Sequence, residues 1–410
     1  MLNSYLPDIY SRLITPQSNA NIYVKGLCGS GIHFLLANIF NEHKKNIVLI
    51  KNTKEEAAYA LNDLQNILSE KQVLFFPQSY KQPYEPEKTA NANIQERAEV
   101  LSFLSRDNFK GIIVTYPEAL CEKVTLKKEL VQNILQIKKG EKLSVDFINE
   151  FLFSYHFNQV DFVYEPGQFS IRGGIIDIYS FANEYPYRLE LFGNEVEAIK
   201  TFDPANQLSV ANYEFVTIIP NINSSIQTET KGFVLNYFSP ENSCIAIESV
   251  ELVLDTFDKF YTKANKLFEA YTGEIKQVEP NLLYGNSEEF KPILKAYGII
   301  EFGLQSALSQ QEITFNQMPQ PVFNKNFELL IANLKENKAK GFQNYFLTEN
   351  RKQADRLITI FNDMLAKEHR TYDTLIDYLP LNIHQGFIDT DLKIAVYTDH
   401  QIFERYTALN

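Results

Sequence analysis

A glycine-rich hexapeptide near the start of the sequence has the spacing of a phosphate-binding loop. It reads GLCGSG, with glycines at Gly26, Gly29 and Gly31, and it stands between a predicted strand and a predicted helix. In a loop that binds a nucleoside triphosphate, a lysine and then a serine or threonine come next, because they contact the terminal phosphates and the magnesium ion. The first six positions alone therefore indicate phosphate chemistry.

The two residues that complete this pattern are of the wrong type. Ile32 stands where the lysine should be, which removes a charge-assisted hydrogen bond of about 1.5–3 kcal/mol to a phosphate. His33 stands where the hydroxyl should be, and magnesium prefers hard oxygen ligands. We interpret the stretch as a degenerate nucleotide loop, and we expect no ATP, no other cofactor and no catalysis. Its backbone amides can still hold an anion.

The sequence offers no metal site to support such a loop. No acidic pair of the magnesium-binding type stands on a later predicted strand, and we assign no catalytic role to Glu248 at the end of CIAIES. The six histidines never occur four residues apart with an acidic partner, which excludes the common helical zinc motif. The predicted metal content is therefore none.

A second group of residues with possible chemistry lies on short predicted strands within residues 163–204. The stretch is rich in Ile, Val, Tyr and Phe and is punctuated by Pro-Gly, Gly-Gly and Gly-Asn pairs, which predicts a small antiparallel meander. Side chains alternate along a strand, so Arg188, Glu190 and Phe192 share one face, while the leucines between them supply the buried one.

Two interpretations of this face remain open. Aromatic side chains and arginines are the usual anchors of protein interfaces, and Arg172 on the preceding strand can lie beside Arg188 if the register allows. In the alternative, Phe192 lies under a loop and the arginines form intramolecular ion pairs with Asp177 or Glu190. The residue pattern alone does not choose between them.

Length and composition narrow the class of protein. A chain of 410 residues suits two to four domains, and 45% hydrophobic with 22% charged residues is ordinary globular composition. A net charge of -12 opposes nucleic-acid binding, because that binding depends on Lys and Arg neutralising phosphates. Three isolated cysteines and the lack of a long apolar run predict a cytoplasmic protein without a membrane segment.

The elements that position these residues alternate between strand and helix. This pattern predicts a parallel sheet covered on both faces, and hence an α/β first domain. The predicted strands are NIYVKG from residue 21, Asn46–Lys51, Val73–Phe76 and Gly111–Tyr116, with helices at Lys54–Glu70 and Asn93–Ser105. A smaller unit of the same kind follows Phe323, with helices at Phe327–Lys338 and Asn350–Lys367 and strands at Asn344–Thr348 and Lys393–Thr398.

The meander resembles the UvrA-binding module shared by UvrB and the transcription-repair coupling factors of the Mfd family. The matching stretches are PGQFSIRGGIIDIY at 166–179, YRLELFGNEVE at 187–197 and FDP at 202–204. So many fixed positions make the resemblance specific. It implies that Arg172, Arg188 and Phe192 contact UvrA, with Glu190 orienting Arg188, and it favours the interface interpretation.

Two features favour the coupling factors over UvrB. Coupling factors have a degenerate loop at the position of Ile32 and His33, whereas UvrB keeps an intact one. The insert between Pro77 and Asn91 is also far too short for the tyrosine-rich hairpin with which UvrB clamps DNA. The alternatives are a UvrB-type P-loop ATPase and a nucleic-acid-binding domain.

The resemblance also implies a domain organisation. Residues 1–126 and 219–312 should form one discontinuous, UvrB-like domain of degenerate RecA-type ATPase fold. Residues 127–218 should form a small α+β UvrA-binding module inserted into it, and residues 313–410 a third, small α/β domain. The chain is expected to be a non-catalytic N-terminal fragment that recruits UvrA. In the full-length protein, which resembles a DNA translocase, RNA polymerase and double-stranded DNA are expected to bind domains absent here.

Overall fold

The structure, a computed structural model, describes most of the chain between residues 21 and 403. The described ranges are 21–79, 91–105, 109–126, 135–154, 157–181, 183–218, 231–271, 278–309, 311–366, 369 and 371–403. Most of the insert compared above with the UvrB hairpin, at 80–90, lies outside them. No helix among the described residues is long and apolar enough to cross a bilayer.

The chain passes through one large sheet, leaves it for a central module, and returns. The first stretch contains β1 (Asn21–Lys25), α1 (Gly31–His43), β2 (Asn46–Ile50), α2 (Lys54–Ile67), β3 (Val73–Phe75), α3 (Asn91–Ser105), β4 (Ile112–Thr115), α4 (Pro117–Cys121) and β5 (Val124–Thr125). The central module (residues 135–218) contains β6 (Leu135–Lys138), α5 (Val145–Ser154), β7 (Asn158–Gln159), β8 (Gln168–Arg172), β9 (Ile175–Ile178), β10 (Tyr187–Phe192), β11 (Glu195–Phe202), β12 (Ser209–Tyr213) and β13 (Phe215–Ile218).

The second half of the chain completes the large sheet and then forms a separate one. The returning stretch contains β14 (Lys231–Gly232), β15 (Ser243–Ile247), α6 (Val250–Glu269), α7 (Pro280–Leu283), α8 (Ser287–Leu294), β16 (Gly298–Glu301) and β17 (Gln311–Thr314). The C-terminal unit (residues 317–403) contains β18 (Gln317–Pro319), α9 (Phe327–Ala339), β19 (Gln343–Leu347), α10 (Arg351–Leu365), β20 (Asp377–Leu379), β21 (Phe387–Asp389), β22 (Ile394–Thr398) and α11 (Asp399–Phe403).

The large sheet has seven strands in the order β17-β1-β16-β15-β2-β4-β3, and all its neighbours run parallel. Its central strands β2, β4 and β15 are buried at every residue. They are mostly Ile, Val and Leu, as required where helices cover both faces of a parallel sheet. This confirms the predicted mixed α/β class with a large parallel sheet.

Local capping signals set where several helices begin. The Thr53 hydroxyl accepts a hydrogen bond from the backbone of Glu56 at the start of α2, and Ser249 does the same at the start of α6. Asn326 and Asn350 cap α9 and α10 in the same way. These polar residues satisfy amides that have no partner within the helix.

The central module has its own core. Its main sheet runs β12-β11-β10-β9-β8-β7, and β6 pairs with β13 in a second, two-stranded sheet. The buried face of the main sheet packs with Ile148 and Leu152 of α5 and with Ile137 of β6. Below the module, β5 and β14 form a short antiparallel pair that joins its two flanking stretches.

One predicted domain boundary needs correction. The expected third domain begins at residue 313, but Ile313 and Thr314 belong to β17, which pairs with Val24 and Lys25 at the edge of the large sheet. The large sheet therefore extends through Thr314. The other predicted boundaries, at 126/127 and 218/219, adjoin stretches outside the described residues.

Truncating Leu189 should destabilise the central module. Leu189 is fully buried in the module core, so Leu189→Ala removes packed methyl groups and should lower the free energy of unfolding by about 2–5 kcal/mol. Denaturant titration measures this change. Leu208 in the same module is 68% exposed, and Leu208→Ala should change stability by less than about 0.5 kcal/mol. Equal effects of the two substitutions would contradict the observed burial.

Candidate functional site

The main sheet of the central module separates an apolar face from a charged and aromatic one. On β10, Arg188 pairs with Asp177 of β9 on one side and with Lys200 of β11 on the other. The next residue, Leu189, points to the opposite face and is buried. The alternation of side chains therefore collects the charged groups on the face away from the module core.

Asp177 is the centre of this charged face. Its carboxylate is fully buried, yet it accepts hydrogen bonds from arginines on both neighbouring strands. Arg188 binds it in bidentate fashion, with Nε 2.7 Å from Oδ1 and Nη2 2.9 Å from Oδ2. Arg172 donates from its own Nη2 to the same Oδ2. One buried negative charge therefore holds two guanidinium groups side by side.

Arg188 contacts three neighbouring residues, Asp177, Phe202 and Gln207. Its guanidinium carbon lies 4.2 Å from the ring centroid of Phe202, and Nη2 is 3.2 Å from Oε1 of Gln207. The hydrogen bonds to Asp177 raise the pKa of Arg188 in spite of its burial, so the group stays charged. Only 16% of the side chain is exposed. Arg188 is therefore fixed in place, and a small part of its side chain reaches solvent.

Arg172 is more accessible and lies among apolar groups. Its side chain is 35% exposed, and its guanidinium carbon lies 4.7 Å from the ring centroid of Phe162. Phe162 is itself half exposed. Ile175 pairs with Arg172 across the strands and is also exposed. Sequence reasoning missed both apolar residues, because Phe162 lies outside the regular strands and the position of Ile175 depends on the strand register.

Phe192 is the most exposed of these aromatic residues. It ends β10 at the tip of a hairpin, where Gly193 adopts a positive φ of 63°, and 81% of its surface is accessible. The alternative in which Phe192 lies under a loop is therefore wrong, whereas the intramolecular ion pairs of the two arginines with Asp177 are present. We call this set of side chains the arginine face; it comprises Phe162, Arg172, Ile175, Arg188 and Phe192.

Glu190 differs from its predicted role. Its carboxylate oxygens lie 2.7 and 2.9 Å from Nζ of Lys200, on the neighbouring strand. Arg188 instead takes its orientation from Asp177, as the bidentate contact requires. The prediction that Glu190 orients Arg188 is thus wrong, because a nearer carboxylate on β9 occupies that role. A contact of Glu190 with a partner stays a prediction.

The glycine-rich loop connects β1 to α1, as predicted, but protein oxygens occupy its amides. The amide of Cys28 donates to Oε1 of Gln317 at 3.1 Å, and the amide of Ser30 donates to the carbonyl oxygen of Gln385 at 3.1 Å. Gly26 and Gly29 take positive φ angles of 79° and 52° to form the turn. The loop therefore keeps its turn while its donors face the C-terminal unit.

The two residues after the loop, Ile32 and His33, are buried. Ile32 packs into the core of the large sheet, and Nδ1 of His33 lies 2.7 Å from Oδ2 of the buried Asp63. The other oxygen of Asp63 accepts the backbone amide of His384 at 2.6 Å. His33 thus contacts a carboxylate that binds the C-terminal unit. Sequence reasoning missed Asp63 because its partner is 321 residues away.

Comparison with known families assigns the central module to a class. Residues 135–223 match the family model of the UvrB interaction domain, which spans the whole of the module and hence the arginine face. The described part of this match, residues 135–218, is thus similar to a UvrB interaction domain.

The wider chain is similar to transcription-repair coupling factors, and specifically to their N-terminal region. It is 32% identical over 209 residues to the Bacillus subtilis transcription-repair-coupling factor, an alignment that covers 50% of this chain and 18% of that protein. Identity to the Staphylococcus aureus (strain MRSA252) factor is 21% over 450 aligned positions, covering 94% of this chain and 38% of the relative. UvrABC system protein B of Treponema denticola is 26% identical over 260 residues, covering 60% of this chain and 37% of the relative. The chain thus spans well under half the length of these relatives.

Removing the Asp177 carboxylate should destabilise the module more than removing an exposed one. Asp177→Ala leaves two guanidinium groups without their buried counter-charge, which should cost about 3 kcal/mol or more. Glu190→Gln breaks a partly exposed ion pair and should cost less than about 1 kcal/mol. Chemical unfolding of both variants measures the difference. If Asp177→Ala lowered the free energy of unfolding by less than Glu190→Gln does, the result would show that Asp177 does not hold the arginines.

The contact between α2 and the C-terminal unit should weaken in acid. Burial lowers the pKa of His384 below its ordinary value of 6.5, against the attraction of Asp63 and with the help of His400 and His33. The unfolded chain then binds more protons than the folded one, so this contribution to stability is present above pH 6.5 and is lost as the pH falls below it. Unfolding free energies measured across this range should decline less in His384→Phe, which keeps a ring against Tyr59. An unchanged decline would contradict the assignment to His384.

Proposed function

We propose that this chain is the UvrB-like N-terminal part of a transcription-repair coupling factor, and that its central module recruits UvrA through the arginine face. The observation that carries the proposal is the exposed Phe192 at the end of the strand that carries Arg188, together with two arginines fixed by the buried Asp177. A surface of this kind offers apolar area and rigid donors together, which is the usual composition of an interface anchor.

Phe192 and the arginines would contribute to binding in different ways. Phe192 is 81% exposed, so burial of its ring in an apolar pocket of UvrA removes a large apolar area from water. The arginines would contact acidic groups of UvrA with the donors that Asp177 and Gln207 leave unused. Because Asp177 and Phe202 already fix Arg188, little of its side-chain entropy is lost on binding. Preorganisation of this kind favours specific association.

The same proposal makes the first domain non-catalytic. Ile32 and His33 replace the residues that would contact phosphates and magnesium, and the amides of Cys28 and Ser30 already bind protein oxygens. An ATPase of the UvrB type requires those groups to be available. We therefore propose that no ATP or other cofactor binds here, and that the large sheet is a degenerate RecA-type fold into which the central module is inserted.

The remaining activities belong to the proposal for the whole protein. Contacts with RNA polymerase and double-stranded DNA would be made by parts of a coupling factor other than this chain, and ATP-driven translocation likewise. This division agrees with the net charge of -12, which opposes tight binding of this chain to a polyanion.

Calorimetric titration of this chain with UvrA tests the proposal. Phe192→Ala and Arg188→Ala should each weaken binding by about thirtyfold, because truncation of an interface anchor typically costs about 2 kcal/mol or more. Phe215→Ala is the matched control, since Phe215 is 61% exposed on β13, outside the main sheet of the module. It should bind like the parent chain.

Two results would contradict the proposal. One is a parent chain that does not bind UvrA. The other is an equal loss of affinity in Phe192→Ala and Phe215→Ala, which would place the contact elsewhere or make it nonspecific. The thermal unfolding of each variant, followed by circular dichroism, separates a lost contact from a lost fold.

A further inference from the structure

The glycine-rich loop and the C-terminal unit form a contact that recruitment of UvrA does not explain. We infer that the loop is a polypeptide-binding site whose ligand is the C-terminal unit of the same chain, chiefly its segment 382–387 and the side chain of Gln317. This ligand takes the amides that a phosphate would otherwise use. The inference does not depend on UvrA binding.

The polar contacts are reciprocal. Ser30 donates its amide to the carbonyl oxygen of Gln385, and its hydroxyl oxygen accepts the amide of Gln385 at 3.0 Å. Gln317 donates its own amide to the carbonyl oxygen of Gly26 at 3.1 Å, while its side-chain oxygen accepts from Cys28. The loop and its ligand therefore satisfy each other's backbone groups, as two paired polypeptide segments do and as a phosphate, which has only oxygens to offer, does not.

The glycines of the loop fit this ligand closely. A Cβ atom on Gly29 would lie 2.7 Å from the carbonyl oxygen of Gly386, and one on Gly31 would collide with the side-chain oxygen of Gln317. Gly31 does not have a positive φ, and it is the first residue of α1. A side chain at position 31 would therefore displace the Gln317 side-chain oxygen, which accepts the amide of Cys28.

Helices α1 and α2 extend the site beyond the loop. Asp63 accepts the amide of His384, and the ring of Tyr59 stacks on the His384 ring with centroids 3.6 Å apart. Asn66 donates to the carbonyl oxygen of Asn382 at 3.0 Å. Phe34 of α1 packs edge-on against Phe387 within an apolar cluster that includes Ile383. Five residues of this segment thus contact this surface: Asn382, Ile383, His384, Gln385 and Phe387.

Occupation of the loop has a consequence for ligands and for domain arrangement. The docked segment and Gln317 occupy the amides of Cys28 and Ser30 that an anion would need, so a docked C-terminal unit excludes nucleotide from the loop. The same contacts fix the C-terminal unit against the large sheet. The loop thus holds two parts of this chain together, the large sheet and the C-terminal unit.

A double-mutant cycle read by hydrogen–deuterium exchange tests this inference on the whole chain. Gly31→Ala places a methyl group against Gln317, and it should speed exchange in peptides covering 26–34 and 381–388 together, by about tenfold. In a Gln317→Ala background, the methyl group meets no oxygen, so the added effect of Gly31→Ala should nearly disappear. Gln343→Ala, which alters an exposed glutamine of the C-terminal unit, is the control and should leave both peptides unchanged.

Three outcomes would overturn the inference. The effects of Gly31→Ala and Gln317→Ala could be additive, or peptide 26–34 could change while peptide 381–388 does not. Inorganic pyrophosphate could also speed exchange of 381–388 in the parent chain, which would show that an anion displaces the segment. Unchanged exchange in a peptide from β10 shows that the fold is intact. If the Gly31→Ala variant unfolds, the test is repeated with Ser30→Ala, which removes only the hydroxyl acceptor of the Gln385 amide.

Discussion

A parallel sheet must be covered on both faces, and in this chain the strands that build it come from separated stretches. β15 and β16 insert between β1 and β2, although the whole central module intervenes in the sequence. Parallel neighbours require crossover connections, and helices provide the cover. The loops at the carboxyl ends of such strands are where ligands usually bind. Here, the C-terminal unit covers the loop after β1, and the central module carries the exposed arginine face.

In the central module, the arginine side chains are held in fixed orientations at the surface of the sheet. Asp177 holds them, because its carboxylate is buried on the middle strand and accepts hydrogen bonds from arginines on both neighbouring strands. The cost of burying this charge is offset by two charge-assisted contacts. The same sheet carries Asp177 on one face and covers the module core with its other face. The module core and the arginine face therefore share the same strands.

The sequence predicted the elements with strong periodicity and missed those that depend on register or distance. The helix predicted at Phe327–Lys338 runs from Phe327 to Ala339, since its cap and apolar spacing are local signals. β17 was missed as part of the first sheet because QEIT is a short polar edge strand.

The charged and polar centres were harder to predict for the same reason. The sequence indicates Asp177 only as one possible ion-pair partner, because its sharing by two arginines appears only once β8, β9 and β10 are paired. Asp63 and Gln317 belong to no motif, and each has a partner hundreds of residues away.

The two ends of the central module lie close together. Leu135 pairs with Ile218, and in the flanking stretches Thr125 pairs with Lys231. Its two ends lie side by side, so such a unit can be transplanted whole between host proteins, with only a short connection to close.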